Sequence, residues 1–499
     1  MRQVRVEGRW KLGDYAAVPR LAHSVRELRS EAAILVPGLR GRTVWMINST
    51  EKGGGVAEML PRVVALLDEL GVRTRWALLE SRHPEFFRLT KRLHNAIHGE
   101  GDAGFSEADR QIYEAVNREN ADRLRRELKP GDILVVHDPQ PLPLGAMLRR
   151  ALDVRFLWRC HIGHDEHVAA TRAAWRFLRP WAEACDHGVF SAPEYIPDFL
   201  AGRAAIIDPA LDPASHKNRD LPPHKLAGIL CNARLQCERH PVLTPPFPHP
   251  ALRVDRNGEL RPPDSDNEIG LLYRPIVTQV SRWDRLKGFA PLLEGFVRLK
   301  HGLDDSSREW EPRRRRRIEL LRLVLAGPDP ASVADDPEGA GVLDELIAAY
   351  RRLPARLQGD VALLALPMES RKANALMVNA LQRCSTVVVQ NSLKEGFGLT
   401  ATEAMWKGVP VVGTRASGLR RQIRSGIDGM LIQDPTDPDE VARRLDAVLS
   451  DAPKRDRLAA SAQRRVHEKF LIFTQLRQWL VALTTCVERG GPPSADDSD

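Results

Sequence analysis

Residues 43–79 read in an order that few folds accommodate: strand, glycine loop, helix, strand. The apolar run 43–48 has the length of a strand, STEKGGG (49–55) breaks it, and Val56, Met59, Leu60, Val63, Val64, Leu67 and Leu70 recur at helical spacing. Gly71 ends that helix and residues 72–79 predict the next strand. Strands joined through a helix run parallel, so the unit is βαβ and belongs to an open α/β sheet. The same alternation continues. Residues 133–136 form a strand ending at His137 and Asp138, 155–159 one ending at His161, and 188–190 and 204–207 two more. It resumes with strands 275–280, 322–326, 361–366 and 386–390, the helix 373–383, a late strand or turn at 427–432, and helices 439–449, 454–469 and 472–486. Polar residues cluster just after the strands, where open α/β sheets hold their ligands.

The expected fold class is therefore α/β, with two Rossmann-like doubly wound domains facing a central cleft. Residues 1–210 form the first, with 1–40 leading into it, and 275–470 form the second. Between them 211–274 reads as a linker enlarged by a proline-rich insertion (HPVLTPPFPHPALRV), and 471–499 as a terminal helix and a tail of disordered composition.

Composition adds exclusions. There is no uninterrupted run of about 18 apolar residues and no apolar core of signal-peptide length, so a soluble, cytoplasmic protein is expected. The 6 cysteines contain no C-x-x-C pair and read as reduced thiols. The net charge of +8 suits anionic small molecules as well as nucleic acid. Arg313–Arg317 is the strongest basic run, but no aromatic interleaving or nucleic-acid motif accompanies it. It reads as a solvated turn, and no nucleic-acid partner or membrane span is expected. The oligomeric state stays open, a homo-dimer included.

The chemistry concentrates in 391–413, NSLKEGFGLTATEAMWKGVPVVG. A strand, a turn through Glu395, Gly396, Phe397 and Gly398, a short helix opening at Leu399 and Thr400, and a second strand follow one another. Turn amides and a helix N-terminus suit a phosphate. Glu395 and Glu403, eight residues apart, can accept hydrogen bonds from sugar hydroxyls on either side of it. A capped helix with two solvated carboxylates is the bland alternative. Arg282 and Lys287, five residues apart after another strand, can reach one anion: the guanidinium as a fork, the ammonium as a point charge. Together they would neutralise a diphosphate without a metal. Gly53, Gly54 and Gly55 lack the Lys-Ser/Thr of a P-loop and the spacing of a dinucleotide fingerprint, and a plain turn reads as well. His161, His164 and His167, in an HDEH helix start, show no ordered ligand motif, and no D-x-D triplet follows a strand directly. No metal and no cofactor are expected.

These residues resemble the retaining glycosyltransferases of family 4, which have the GT-B fold. Glu395 and Glu403 match that family's E-x7-E motif, and Arg282 and Lys287 its phosphate-binding pair. INSTEKGGGVAEML, VNREN, VHDPQP, WRCHI, VTQVSRWDRLKGF and EGFGLTATEAMWKGVPV are similar, more narrowly, to the trehalose glycosyltransferring synthases. The resemblance covers most of 43–210 and 275–435. It implies an NDP-glucose donor (ADP-, UDP- or GDP-glucose), with Glu403 on ribose, Glu395 on the hexose, and Arg282 and Lys287 on the diphosphate. Gly54, Gly55 and the segment Gly396, Phe397, Gly398, Leu399 and Thr400 would lie along the donor. It further implies His161 near the donor's 6-hydroxyl, and Asp138 and Gly53 on the side of a glucose acceptor. The implied activity is retaining synthesis of α,α-trehalose from NDP-glucose and glucose. A trehalose phosphorylase of the same fold, or a family 4 α-glycosyltransferase with another acceptor, would carry similar motifs. A nucleic-acid or polyanion binder and a GT-B epimerase are more distant alternatives.

Overall fold

A computed structural model of the chain describes residues 1–6, 10–51, 55–101, 104–236, 247–263, 268–305, 309–332 and 337–489. The chain divides into two compact units, each built on one sheet. The first takes Met1–Ala210 and the helix Ile472–Arg489, and the second takes Leu211–Leu471.

In the first unit the strands are β1 (Arg2–Val4), β2 (Val44–Asn48), β3 (Thr74–Leu78), β4 (Ile133–His137), β5 (Arg155–Cys160), β6 (His187–Phe190) and β7 (Ala204–Ile206). Their order is β1-β3-β2-β4-β5-β6-β7, all parallel except β1, which pairs antiparallel with β3. The chain leaves β2 for one side of the sheet and reaches β4 on the other, so the winding direction reverses between these two strands. β2 and β4 are buried at every position, as parallel strands covered on both faces must be.

The second sheet uses β8 (Leu252–Val254), β9 (Leu260–Arg261), β10 (Ile276–Val280), β11 (Arg322–Pro328), β12 (Val361–Leu366), β13 (Val387–Val389), β14 (Val411–Thr414) and β15 (Met430–Ile432). Their order is β15-β14-β13-β10-β11-β12-β8-β9. The six parallel strands follow the doubly wound order 3-2-1-4-5-6, with the switch point between β10 and β13. Successive residues feed opposite faces: Leu323 and Leu325 join one apolar cluster, Val324 and Ala326 the other. A continuous apolar run is the sequence image of that two-sided burial.

Four expectations change. The stretch read as a linker is partly built into the second unit. It supplies the helix Pro223–Asn232 and the strands β8 and β9, with β8 antiparallel to both β12 and the edge strand β9. Prolines open that helix, and the two short strands contain none, so no ladder donor is lost. Residues 1–40 are also structural, giving β1 and the helices Leu12–Ala16 and Ala22–Leu35. Arg313–Arg317 is not a turn but lies in the helix Pro312–Leu320, whose N-cap Glu311 accepts from the backbone N–H groups of Arg313 and Arg314. The HDEH stretch precedes its helix, which starts at Ala169. The tail 490–499 lies outside the described residues.

The terminal helix Ile472–Arg489 closes the first unit. Trp479 is buried, with its ring 6.0 Å from that of His137, Phe473 meets Tyr15 edge-on at 5.4 Å, and Gln475 Nε2 donates to the Asp208 carbonyl at 3.1 Å. We expect Trp479→Ala to lower the unfolding free energy by about 3–5 kcal/mol, the usual cost of emptying a buried tryptophan site. Denaturant unfolding measures it, and a loss below about 1 kcal/mol would contradict this account of the helix.

Candidate active site

Two groups of the expected residues are drawn together, one in each unit. In the second unit the loops leaving β10 and β13 meet at the switch point. Gly288, at φ +62°, has its carbonyl bonded by Asn391 Nδ2 at 3.0 Å, and a Cβ there would fall 2.1 Å from the Asn391 carbonyl oxygen. Gln279 clamps both loops, donating to the Lys287 carbonyl at 2.7 Å and accepting from the Asn391 N–H at 2.9 Å. The turn Arg285–Lys287 is capped by Asp284, which accepts from the Leu286 N–H at 2.8 Å.

Those constraints bring Lys287 Nζ to 2.8 Å from Glu395 Oε2, with the two side chains 15% and 14% exposed. Glu395 Oε2 also accepts from Ser392 Oγ at 3.1 Å and lies 3.4 Å from Gln390 Nε2. Arg282, by contrast, is 72% exposed and has Asp284 at 3.8 Å. The two cations expected on one anion therefore differ in this state: Lys287 is held by Glu395, while Arg282 extends toward solvent.

Gly398 turns the chain at φ +85° into the helix Leu399–Trp406. Gln422 Nε2 donates to the Phe397 carbonyl, and the Gly418 N–H to the Glu395 carbonyl at 3.0 Å, so the turn 395–398 is fixed from the segment that follows β14. Glu403 is only 6% exposed, which removes the reading of a solvated surface charge. Lys217 Nζ stands 3.7 Å from its Oε1. One turn on, Lys407 Nζ donates to Gln382 Oε1 at 2.7 Å, Asn218 Oδ1 at 3.3 Å and the Glu403 carbonyl at 3.2 Å. Burial pushes the Lys407 ammonium down to about 7 against the opposing pull of Glu403. Lys217 and Lys407 were missed in the sequence. Lys407 lies at i+4 from Glu403, a helical spacing that could have drawn attention to it, whereas Lys217 had no local signal.

In the first unit His137 ends β4 and His161 follows β5. Asp138 adopts φ +62°, donates its N–H to the Arg159 carbonyl at 2.7 Å, and accepts from the His161 N–H at 2.8 Å through Oδ1. His137 Nδ1 lies 3.0 Å from His161 Nε2. Arg159 is buried beneath them, with Nη2 on Ser191 Oγ at 3.1 Å and the Ile207 carbonyl at 2.8 Å. Its Nε and Nη1 have no protein partner among the described residues. Burial raises Asp138 to about 6 despite the His161 N–H and Arg159, and lowers His137 to about 3 and His161 well below its ordinary value, with Arg159 adding to both. Gly55 opens the helix Gly55–Glu69, whereas Gly53 and Gly54 lie outside the described residues. Among the described residues no group of three or more His, Cys, Asp or Glu is gathered to hold a metal ion, and no helix is long and apolar enough to cross a membrane.

Comparison with known proteins fits this arrangement. Residues 46–197 match the family described as trehalose synthase, N-terminal domain, and 370–465 match glycosyl transferases group 1. A trehalose synthase of Pyrococcus horikoshii is 32% identical over 96% of this chain and 97% of its own. A trehalose phosphorylase of Pleurotus pulmonarius is 24% identical over 94% of this chain and 59% of its own. A solved E. coli trehalose-6-phosphate structure bound with UDP-2-fluoro glucose superposes with TM-score 0.61 at 17% identity, covering 89% of this chain and 99% of that one. Two doubly wound parallel sheets carrying a polar switch point make the chain a glycosyltransferase of the GT-B fold class. Within that class it belongs to the trehalose synthase family.

The raised Asp138 value gives a pH dependence with a definite sign. The folded carboxyl keeps its proton to about 6, whereas an unfolded aspartic acid loses it near 3.8. Its contribution to stability is therefore full below about 4 and is lost as pH rises through about 6. We expect Asp138→Asn to flatten that part of the stability–pH profile. Unfolding curves between pH 4 and pH 7 measure it, and an unchanged slope would contradict the burial of this carboxyl.

Proposed function

We propose that the chain is a retaining glucosyltransferase of family 4 that joins glucose from NDP-glucose to free glucose, yielding α,α-trehalose. The observation that carries this reading is the Lys287–Glu395 contact at the β10/β13 switch point. A part-buried ion pair is displaced at low cost only by a ligand that satisfies both members at once. A sugar diphosphate does so, offering anionic oxygens to Lys287 and hydroxyls to Glu395. Arg282, already extended, then folds onto the same diphosphate, where its fork geometry adds to the point charge of lysine.

The remaining groups follow the order of a nucleotide-sugar. Glu403, buried near Lys217, accepts from the ribose hydroxyls. Gly396, Phe397, Gly398, Leu399 and Thr400 present backbone to the phosphates, Gly54 and Gly55 serve the donor, and Gly53 serves the acceptor. His161 contacts the hexose at its 6-hydroxyl, and Asp138 serves the acceptor. Chemistry then needs no dedicated base. The acceptor oxygen bonds to the anomeric carbon on the face that the nucleotide leaves, and the C1–O bond to phosphate breaks. The acceptor proton passes to the departing phosphate oxygen, giving NDP and trehalose. The protein contributes positioning and stabilisation of charge on the leaving group.

The curated relatives include a phosphorylase as well as synthases, and the two activities separate cleanly. Incubation with trehalose and an NDP should release NDP-glucose, and phosphate alone should release nothing. Glucose 1-phosphate formed with phosphate would reverse the assignment. A donor series of ADP-, UDP- and GDP-glucose with glucose as acceptor identifies the base. On this reading Lys287→Ala and Glu395→Ala each reduce turnover by about tenfold or more, the usual effect of removing one preorganised transition-state contact. Near-normal turnover in both would remove the site.

A further inference from the structure

We infer that His137 is a positioning residue that fixes His161 as its Nε2-protonated tautomer, so that His161 offers Nδ1 as a hydrogen-bond acceptor to a neutral sugar hydroxyl. The inference rests on the proposed contact between His161 and the donor hexose, and it adds which hydrogen-bonding role that contact has.

His137 has two ring nitrogens and each has one neighbour. Nδ1 lies 3.0 Å from His161 Nε2, and Nε2 lies 3.4 Å from Met46 Sδ. Both His137 and Met46 are buried. A neutral imidazole has one donor and one acceptor, while a thioether sulfur can only accept, weakly. With the proton on His137 Nε2, both contacts are satisfied: Nε2–H points at the sulfur, and Nδ1 accepts from His161 Nε2–H. With the proton on His137 Nδ1, a buried nitrogen lone pair faces the lone pairs of the sulfur, and an acceptor is left unmet away from water. The sulfur therefore selects the tautomer of His137, and His137 selects that of His161.

The surroundings hold both rings neutral. Arg159 sits beneath them as a buried cation and disfavours a second positive charge. Asp138, the nearby carboxyl, is engaged through Oδ1 by the His161 N–H at 2.8 Å. The two ring planes lie within 12° of each other, and Trp479 packs 6.0 Å from His137. His161 Nδ1 has no protein partner among the described residues, and the His161 side chain is half-buried. What it can bind follows from its lone pair. A hydroxyl donates to it, whereas a carboxylate or phosphate oxygen, having no hydrogen to give, is repelled. The site thus accepts a hexose with a hydroxymethyl group and disfavours a hexuronate bearing a carboxylate at the same carbon.

Full-length protein labelled with 15N-histidine tests the tautomer directly. Long-range 1H–15N correlation distinguishes protonated from bare ring nitrogens, and His137→Phe and His161→Gln spectra assign the two rings. Both rings should show Nε2 protonated and Nδ1 bare at neutral pH. A protonated Nδ1 on His161 overturns the inference. Met46→Leu conserves volume and removes the sulfur. It should populate Nδ1-protonated His161 and raise the donor KM about two- to tenfold, the worth of one hydrogen bond, with the melting temperature little changed. An unchanged tautomer in Met46→Leu also overturns it. The underlying contact is tested separately with an NDP-6-deoxyglucose donor. If the wild type uses it as well as NDP-glucose, His161 does not meet the 6-hydroxyl, whatever its tautomer.

Discussion

The carbonyl oxygen of Asn391 occupies the place where any side chain at position 288 would begin, 2.1 Å from the position of a Cβ. The loops leaving β10 and β13 therefore touch through bare backbone, and Gln279 and Asn391 tie them with side-chain hydrogen bonds in both directions. From that contact the proposed donor half of the site follows. Lys287 immediately precedes Gly288, and Glu395 comes four residues after Asn391, so locking the two backbones leaves the ammonium and the carboxylate within hydrogen-bond reach. Removing either partner of so enclosed a pair strands the other in a poorly solvated place. A free phosphate would draw off Lys287 and leave Glu395 without its cation; a free sugar would leave Lys287 without its anion. The geometry favours the one ligand class that carries both groups in sequence.

How far this was legible in the chain depended on whether the signal was local. The parallel strands were, because a strand covered on both faces is buried at every position and so mostly apolar, and β2, β4, β10 and β12 are buried throughout. The E-x7-E stretch was legible for a similar reason, since turn, helix start and carboxylates are contiguous. The short antiparallel strands at the end of the second sheet were not. β8 has three residues and β9 two, in a stretch where proline signals irregular chain. Nor was Lys217, which reaches Glu403 only because residues 211–236 belong to the second unit. The His137 pairing was half visible: both histidines stand at strand ends in the sequence, but that β4 and β5 are neighbours, with His137 opposite Arg159, is a fact of topology that spacing does not encode.

The basic excess is similarly clarified by partners. Arg313–Arg317 carries the densest positive charge in the sequence, yet Arg314 pairs with Asp446, Arg315 and Arg316 with Glu319, and Arg317 donates to the Leu449 carbonyl. Those guanidiniums tie the helix Pro312–Leu320 to the helix Pro438–Leu449 and to their own helix, leaving little unpaired charge to attract a polyanion. Arg282 is the contrasting case. It is exposed, and its ion contact with Asp284 at 3.8 Å is long, so moving it onto a diphosphate breaks little. A cation at the mouth of a switch point that is cheaply redirected is better suited to a ligand that comes and goes than one locked in a network.

The same logic of burial bears on proton transfer. A general base at neutral pH works best with a pKa near that pH and must be free to accept a proton. His137, lowered to about 3, and His161, also held well below its ordinary value, are too weakly basic, while Asp138, raised to about 6, accepts the His161 N–H through Oδ1. In the second unit Glu395 is engaged by Lys287 and Ser392. Asp138 and Glu395 thus each have one carboxylate oxygen committed to another residue, and the two imidazoles are held neutral. Such a site is suited to fix hydroxyls and phosphates in place, not to shuttle protons. A mechanism in which the leaving phosphate itself takes the acceptor proton asks of these residues only what their surroundings allow them to do.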